Sequence, residues 1–355
     1  MTRAEKLRAK IAPFADAIVI TDVLNQYYIS GFRFTDGYVL VTKESAHIVT
    51  DFRYVEAAEK LAPAGFTIVT PVRGAEMAAY MHDVCAREGV KTVAFEEARI
   101  TYAEHEKLKD ALGADFVPSR GVIEQMRRVK DKEEVDRMCA AQKITDDAFT
   151  HILSVITPEM TEIEVATELE YFMRRHGGED KSFDTICVSG SASSLPHGVP
   201  RNRKLERGFL TMDYGCIVDG YHSDMTRTVC IGKADEEMKR LYNTVLKAQV
   251  SAIEGAKVGM KCAAVDAIAR DIIEDAGYHG AFGHSLGHSV GLEIHEAPNF
   301  APRSADFFEN GHVITVEPGI YLAGKYGCRI EDMVWAHDDT VTSLTHSPKE
   351  LIELF

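Results

Sequence analysis

The chain has 355 residues, of which 55 are acidic and 40 are basic, so its formal net charge is −15. Its composition, 45% apolar and 27% charged, is that of a globular protein and excludes a disordered or fibrous chain. The acidic excess repels phosphate backbones and anionic lipids, so we expect neither nucleic acid nor a membrane as a partner.

The length predicts two domains, and the first third of the chain alternates short β-branched runs with segments of helical spacing. Strands are predicted at 17–21, 38–42, 46–50, 66–70 and 92–95. Helices are predicted at 53–61, 75–88 and 102–112. Residues 1–122 are therefore predicted to form an α/β domain with its own core.

Residues 123–355 form the second predicted domain. Its first stretch, to about residue 136, is charged, which predicts a solvated connector leading into a long helix that ends near Val155. A second helix is predicted from Thr161, because Thr161 and Glu164 have the spacing of a capping box. Beyond Thr185 the chain is strand-like and rich in glycine, with two further helices predicted at 237–254 and 263–275, and no internal repeat is evident.

The sequence also indicates a cellular compartment. The first residues are too charged for a signal peptide, and no run reaches the roughly 18 apolar residues of a membrane span. The seven cysteines are odd in number and include no Cys-x-x-Cys pair, which indicates reduced thiols and not a disulfide framework. We therefore expect a cytoplasmic protein.

Two aspartates lie in strand-like surroundings where a charge is costly to bury. Asp213 and Asp224 each fall within an apolar run, and a turn at Asp219 and Gly220 would join the two runs as a hairpin. A pair of solvent-facing strand residues is the alternative. If both carboxylates face inward, a cation must lie between them, because two unpaired buried carboxylates are strongly disfavoured.

Three histidines follow in a glycine-rich segment: His284, His288 and His295. The glycines argue against a helix and let the backbone approach a metal or substrate closely. The segment is not a His-Glu-x-x-His zinc motif, because Ser285 follows the first histidine. Surface histidines are the alternative interpretation.

Two glutamates, Glu317 and Glu331, lie in further apolar strand-like runs. Pro318 and Gly319 end the first run directly after its carboxylate, which places Glu317 at a strand end, where ligand-binding side chains are common. Edge-strand glutamates paired with Arg329 are the alternative. Two aspartates, two glutamates and one imidazole favour Mn²⁺, Co²⁺ or Zn²⁺. The four carboxylates carry a charge of −4, which two divalent ions would balance, and such a metal pair supplies hydroxide at neutral pH.

The order of these residues resembles the prolidase, aminopeptidase P and methionine aminopeptidase superfamily, and the local motifs are similar to its prolidase/aminopeptidase P branch. The motifs in the second domain are Met212-Asp-Tyr-Gly215, Ser223-Asp-Met-Thr-Arg-Thr228, Gly287-His-Ser-Val-Gly291, His295-Glu296, Glu317-Pro-Gly-Ile-Tyr321 and Arg329-Ile-Glu-Asp332. Those in the first are Asn25-Gln-Tyr-Tyr-Ile-Ser-Gly-Phe32 and Asp51-Phe-Arg-Tyr54. The resemblance implies an α+β protein, with a pita-bread catalytic domain preceded by a smaller α/β creatinase-type domain.

The resemblance also implies a role for each site residue. Asp213 would bind one metal ion, Asp224 and Glu331 would bridge two, and His288 and Glu317 would hold the second. Glu317 would also act as the general base. His197, His284 and His295 would contact the substrate and the developing oxyanion, and Arg329 would orient Glu331.

The implied reaction is hydrolysis of the Xaa-Pro bond at the amino terminus of dipeptides or short peptides by metal-activated hydroxide, in a homodimer with two ions per subunit. Mn²⁺ is preferred, with Co²⁺ or Zn²⁺ as alternatives. An aminopeptidase P acting on longer peptides is the main alternative function. A metal-free creatinase-like hydrolase and a non-catalytic binding module of the same fold are further alternatives, but both predict broken ligand positions.

One position departs from the pattern. Asn299 stands where prolidases often carry a basic residue, and a cation there would pair with the free carboxylate of a dipeptide. Either Arg303 replaces that cation, or the enzyme accepts longer peptides.

Overall fold

The computed structural model describes residues 1–71 and 74–355, which divide into two compact units, Met1–Arg127 and Arg128–Phe355. The predicted boundary at residue 122 falls at the first residue of a short helix, whereas the amino-terminal unit continues to the end of that helix. Of the helices in the described ranges, none is both long enough and apolar enough to cross a membrane.

The amino-terminal unit is built on one mixed six-stranded sheet in the order β4-β3-β2-β1-β5-β6. Its strands are β1 (Ala17–Ile20), β2 (Gly37–Thr42), β3 (Ala46–Thr50), β4 (Thr67–Val69), β5 (Thr92–Phe95) and β6 (Asp115–Pro118). Its helices are α1 (Arg3–Ile11), α2 (Val23–Ser30), α3 (Phe52–Leu61), α4 (Gly74–Arg87), α5 (Tyr102–Leu112) and α6 (Val122–Arg127). Successive residues of β1 are fully buried, so both faces of the sheet centre are covered.

The sequence predictions for this unit are confirmed for strands β1 to β5 and helices α3 to α5. The predicted solvated connector is wrong for residues 123–127. Together with Val122 they form α6, in which Ile123, Met126 and Arg127 are buried. The apolar residues Val122, Ile123 and Met126 recur at helical spacing and so lie on one face of the helix. Helices α1 and α2 and strand β6 were not predicted.

The motif that begins at Asn25 forms α2. Asp22 caps its first turn through the Leu24 and Asn25 amides, and Gly31 ends it with a φ of 65°. The Gln26 amide nitrogen donates to the carbonyl oxygens of Ile20 and Gly37, which ties the helix to the sheet. This motif therefore has a structural role, which is to attach α2 to the sheet of the amino-terminal unit.

The carboxy-terminal unit contains four long helices: α7 (Lys132–Val155), α8 (Glu162–Arg175), α9 (Glu236–Gly255) and α10 (Cys262–Asp275). The long helix ending at Val155, the capping box of Thr161 with Glu164, and the two later helices are all confirmed to within a residue or two. All four helices pack in pairs, α7 with α8 and α9 with α10.

The same unit contains thirteen strands, five between α8 and α9 and eight after α10. They are β7 (Ile186–Ser189), β8 (Gly208–Tyr214), β9 (Ile217–Val218), β10 (Tyr221–His222), β11 (Met225–Ile231), β12 (Gly287–Ser289), β13 (Glu296–Phe300), β14 (Val313–Val316), β15 (Gly319–Leu322), β16 (Tyr326–Arg329), β17 (Asp332–His337), β18 (Thr340–Ser343) and β19 (Glu353–Leu354). A four-stranded sheet has the order β19-β11-β8-β7, and a five-stranded sheet has the order β13-β12-β14-β17-β18.

One arrangement occurs twice in this unit, although the sequence shows no repeat. Helices α7 and α8 share an apolar core with β8 and β11, and helices α9 and α10 share another with β14 and β17. In both pairs, the residue that precedes the second helix forms an isolated antiparallel bridge, Thr161 with Lys204 and Lys261 with Phe307. Packing conserves this geometry with different side chains, so the sequence alone does not reveal it.

Candidate active site

The hairpin of β8 and β11 brings the two aspartates together as predicted. Asp213 lies opposite Thr226 in the register, and Asp224 directly precedes β11. The predicted turn is present, with φ of 47° at Asp219 and 81° at Gly220. Both carboxylates are buried, Asp213 with 8% and Asp224 with 4% exposure, so the solvent-facing alternative is wrong.

His288 and Glu317 come from neighbouring strands of the second sheet. His288 lies in β12, and Glu317 directly follows β14, at the strand end predicted for it. The Thr315 hydroxyl joins them, because it accepts from the His288 amide at 3.0 Å and donates to Glu317 Oε1 at 3.2 Å. His288 Nδ1 donates to the Ser289 carbonyl oxygen at 3.2 Å, which leaves Nε2 as a lone-pair donor.

Glu331 lies where the chain changes sheets. The sequence predicts one continuous strand through it, which is wrong, since β16 pairs with β15 whereas β17 pairs with β14. Between these strands, the Glu331 amide donates to the Thr226 carbonyl oxygen at 3.1 Å, and the Thr226 hydroxyl donates to Glu331 Oε2 at 2.6 Å. These two bonds fix the carboxylate beside the aspartate hairpin.

These side chains form a cluster suited to a cation. Ligand atoms of Asp224, His288 and Glu331 all lie within 4.8 Å of one another. His288 Nε2 lies 3.5 Å from both Asp224 Oδ2 and Glu317 Oε1, although all three atoms are acceptors in this tautomer. Asp213 Oδ1 is buried and has no hydrogen-bond partner in the described parts of the chain. The donor set therefore fits divalent metal ions.

Burial is the main cause of the pKa shifts in this cluster. Burial, reinforced by the neighbouring carboxylates, raises the pKa of Asp224 and of Glu331 well above the usual range. Burial likewise raises the pKa of Glu317 to about 8. Burial and the adjacent His295 lower the pKa of His288 to about 4, so its imidazole is neutral and able to bind a metal ion at neutral pH.

Arg329 contacts a different carboxylate from the one expected. Its Nη2 donates to Asp213 Oδ2 at 2.6 Å, whereas it reaches Glu331 through the Thr226 hydroxyl, to which its Nε donates at 3.0 Å. Its Nη1 donates to the Tyr321 hydroxyl at 2.8 Å. Sequence reasoning missed Thr226 and Tyr321, although hydroxyl-bearing residues inside motif strands were a usable signal.

The three substrate-side histidines differ in their surroundings. His197 and His295 are exposed, whereas His284 is partly buried, and burial with the nearby Arg329 lowers its pKa to about 4. His284 Nδ1 donates to the Ser285 carbonyl oxygen at 2.8 Å, and Nε2 lies 3.0 Å from the Tyr321 hydroxyl. Neutral His284 therefore has no spare N–H, so donation to an oxyanion would require a change in one of these two bonds.

All nine predicted site residues line one cavity of about 760 Å³. Beyond the carboxylates, the wall continues along α8 and an apolar surface that includes Ile163, Phe183 and Val199. Among the described lining residues, only Arg329 and Lys181 carry a fixed positive charge, and Arg303 is not one of them.

This chain matches two family profiles, one in each unit. Residues 136–338 match metallopeptidase family M24, and residues 3–129 match the creatinase/prolidase N-terminal domain. The chain belongs to metallopeptidase family M24. Family membership makes it a hydrolase that uses divalent metal, and the expected creatinase-type domain followed by a pita-bread catalytic domain is confirmed.

Similar proteins and solved structures match this chain over almost its whole length. The chain is 38% identical to an Xaa-Pro dipeptidase from Pyrococcus horikoshii, over 95% of this chain and 94% of that one. It is 42% identical to an Xaa-Pro dipeptidase structure from Bacillus anthracis, with a TM-score of 0.95 and 99% of each chain covered. An X-Pro aminopeptidase structure from Thermotoga maritima is 34% identical, with a TM-score of 0.92, and covers 99% of this chain and 100% of that chain.

Proposed function

We propose that this metallopeptidase hydrolyses the bond between an amino-terminal residue and proline in Xaa-Pro dipeptides. One observation carries the proposal. Four carboxylates and one neutral imidazole converge on a single cavity, where Asp213 Oδ1 is buried without a hydrogen-bond partner among the described residues. The dipeptidase relatives support the choice of substrate.

The residues that would hold two divalent ions are Asp213, Asp224, His288, Glu317 and Glu331. Mn²⁺ is the ion we propose, with Co²⁺ or Zn²⁺ as alternatives, since a single imidazole among carboxylates suits these ions. The ions would polarise the scissile carbonyl group and lower the pKa of water. Two divalent ions also balance the formal charge of −4 on the four carboxylates.

The chain's own groups would then handle the protons. Glu317 would take the proton of the attacking water on a carboxylate oxygen and return it to the proline nitrogen, which must be protonated to leave. The Thr315 hydroxyl donates to Glu317 Oε1 and so holds this carboxylate in one orientation. His197 and His295, exposed at the cavity, would contact the peptide. His284 would contact its carbonyl oxygen after exchanging one of its two present hydrogen bonds.

A second candidate, an Xaa-Pro aminopeptidase of longer peptides, is favoured by Asn299. Its amide nitrogen, suitably oriented, donates to the carbonyl oxygens of Glu296 at 2.9 Å and Pro298 at 3.1 Å. Those bonds use its donors, so only the acceptor oxygen remains for a ligand, and that oxygen repels a dipeptide carboxylate. A longer peptide would carry its free carboxylate farther along the cavity, toward Lys181.

The decisive experiment measures metal content and cleavage together. Protein stripped with a chelator should lose activity, and Mn²⁺ or Co²⁺ should restore hydrolysis of an Xaa-Pro dipeptide but not of the matched Xaa-Ala dipeptide. The kcat/KM for an Xaa-Pro-Xaa tripeptide, compared with that for the Xaa-Pro dipeptide, distinguishes the dipeptidase from the aminopeptidase of longer peptides. Stripped protein that binds no divalent ion and regains no Xaa-Pro cleavage would favour a binding module or a metal-free hydrolase and refute the proposal.

We also propose a cytoplasmic homodimer. The seven cysteines are all free thiols, which supports a reducing compartment. On α3, Phe52 and Leu61 are 82% and 67% exposed, which supports an apolar contact with a second copy. Light scattering of the purified protein tests the assembly, and a monomeric mass at micromolar concentration would contradict it.

A further inference from the structure

A buried ion pair on α10 lies beside the active-site loop without lining the cavity. Asp266 and Arg270 are one helical turn apart, and Asp266 is 1% exposed. The guanidinium binds the carboxylate in a bidentate manner, Nε to Oδ2 at 2.7 Å and Nη2 to Oδ1 at 2.9 Å. This geometry holds the arginine side chain in one orientation.

The same pair also binds the main chain on both sides of His284. Arg270 Nη1 donates to the Phe282 carbonyl oxygen at 2.8 Å, and Nη2 donates to that of His284 at 2.9 Å. Asp266 Oδ1 accepts from the Leu286 amide at 3.0 Å. The guanidinium carbon lies 4.3 Å from the centre of the Phe282 ring, which adds a cation–π contact.

Phe282 and Leu286 anchor the two ends of this loop in the apolar core, whereas the residues on either side of His284 are little packed. Gly283 and Ser285 are exposed, and a Cβ added at Gly283 would meet nothing within 4 Å. The pair on α10 therefore restrains the main chain on both sides of His284.

We propose that Arg270, held by Asp266, is a positioning residue that fixes His284 for contact with the substrate. This inference rests on the proposed function, in which His284 touches the peptide. Displacement of a substrate-contacting group by about 1 Å lowers turnover by on the order of 100-fold. Loss of Arg270 should therefore reduce kcat more than it changes KM or the metal content.

The test is a double-mutant cycle on the Xaa-Pro dipeptidase activity. Arg270→Met should lower kcat/KM by about 10- to 100-fold in the wild-type background but by less than about 2-fold in the His284→Ala background. Arg240→Met is the matched control, because Arg240 donates to the Ala276 carbonyl oxygen and contacts Tyr278 but does not touch the loop. It should leave activity unchanged.

An ion pair that only stabilised α10 would give the same fold-loss in both backgrounds, and that result would overturn the inference. So would an Arg270→Met variant as active as Arg240→Met. If Arg270→Met does not fold, Arg270→Lys is compared in the same two backgrounds, since it keeps the charge beside Asp266 but not the fork of donors. Wild-type protein without Xaa-Pro cleavage would instead refute the proposed function.

Discussion

Thr226 is the residue whose replacement tests the site geometry most directly. It is fully buried, and its hydroxyl lies between two charged groups, accepting from Arg329 Nε and donating to Glu331 Oε2. Valine has nearly the same shape, so Thr226→Val removes both bonds and little else. Thr211 on the facing strand offers a control, because within the described residues its hydroxyl is hydrogen-bonded to the neutral Thr228 hydroxyl alone, at 3.1 Å.

The expected losses in the free energy of unfolding differ severalfold between Thr226→Val and Thr211→Val. A hydrogen bond to a charged group contributes about 1.5–3 kcal/mol, and a neutral one contributes about 1 kcal/mol. Thr226→Val should therefore destabilise the protein by about 3–6 kcal/mol and Thr211→Val by about 1 kcal/mol. For a unit of this size, 1 kcal/mol lowers the Tm by about 2–4 °C. Thermal unfolding should then give a Tm about 10 °C lower for Thr226→Val and about 3 °C lower for Thr211→Val.

Metal affinity provides the second measurement. Removing the partner that orients a metal-binding carboxylate typically weakens affinity by about 10- to 100-fold. Thr226→Val should show that loss in a chelator competition assay, whereas Thr211→Val should bind metal normally. Equal Tm shifts and equal affinities in the two variants would mean that the Thr226 hydroxyl does not orient Glu331, and the reasoning would be wrong.

Three further outcomes are expected. Asp224→Ala or Glu331→Ala should abolish activity and release metal, because each is proposed to hold the metal ions; near-normal turnover in either variant contradicts that role. His284→Ala should lower kcat at nearly unchanged metal content, and metal loss would place His284 among the ligands. Burial, aided by two nearby cations, lowers the pKa of His312 to about 4, below its unfolded value near 6.5. The stability that neutral His312 allows is therefore fully present above pH 6.5. It is lost as the pH falls from 6.5 through 4, and the free energy of unfolding decreases by about 3 kcal/mol in total. His312→Asn should flatten this part of the pH dependence of the unfolding free energy, and an unchanged slope contradicts it.

Local features of the site could be predicted because they depend on neighbours in the chain. The turn at Asp219 and Gly220 requires two residues that tolerate positive φ, and those residues stand between two apolar runs. The stop after Glu317 follows from Pro318 and Gly319. The order of the five ligand-type residues is likewise a property of the chain, and it was sufficient to indicate the family.

What the sequence could not give depends on groups far apart in the chain. The Thr226 hydroxyl meets Glu331 across 105 positions, and Arg329 meets Asp213 across 116. No local pattern distinguishes a strand that continues through Glu331 from one that changes sheets there, because both have the same alternation of apolar residues.

By itself, then, the sequence predicted which residues gather at the site, where the hairpin turns, and that a cation would balance the four carboxylates. Only the tertiary structure decided which carboxylate Arg329 binds, that His284 has both ring nitrogens engaged, and that Arg270 restrains the loop around it. The physical reason is that turn and capping preferences act over a few residues, whereas burial and hydrogen-bond partners are set by packing between distant strands and helices.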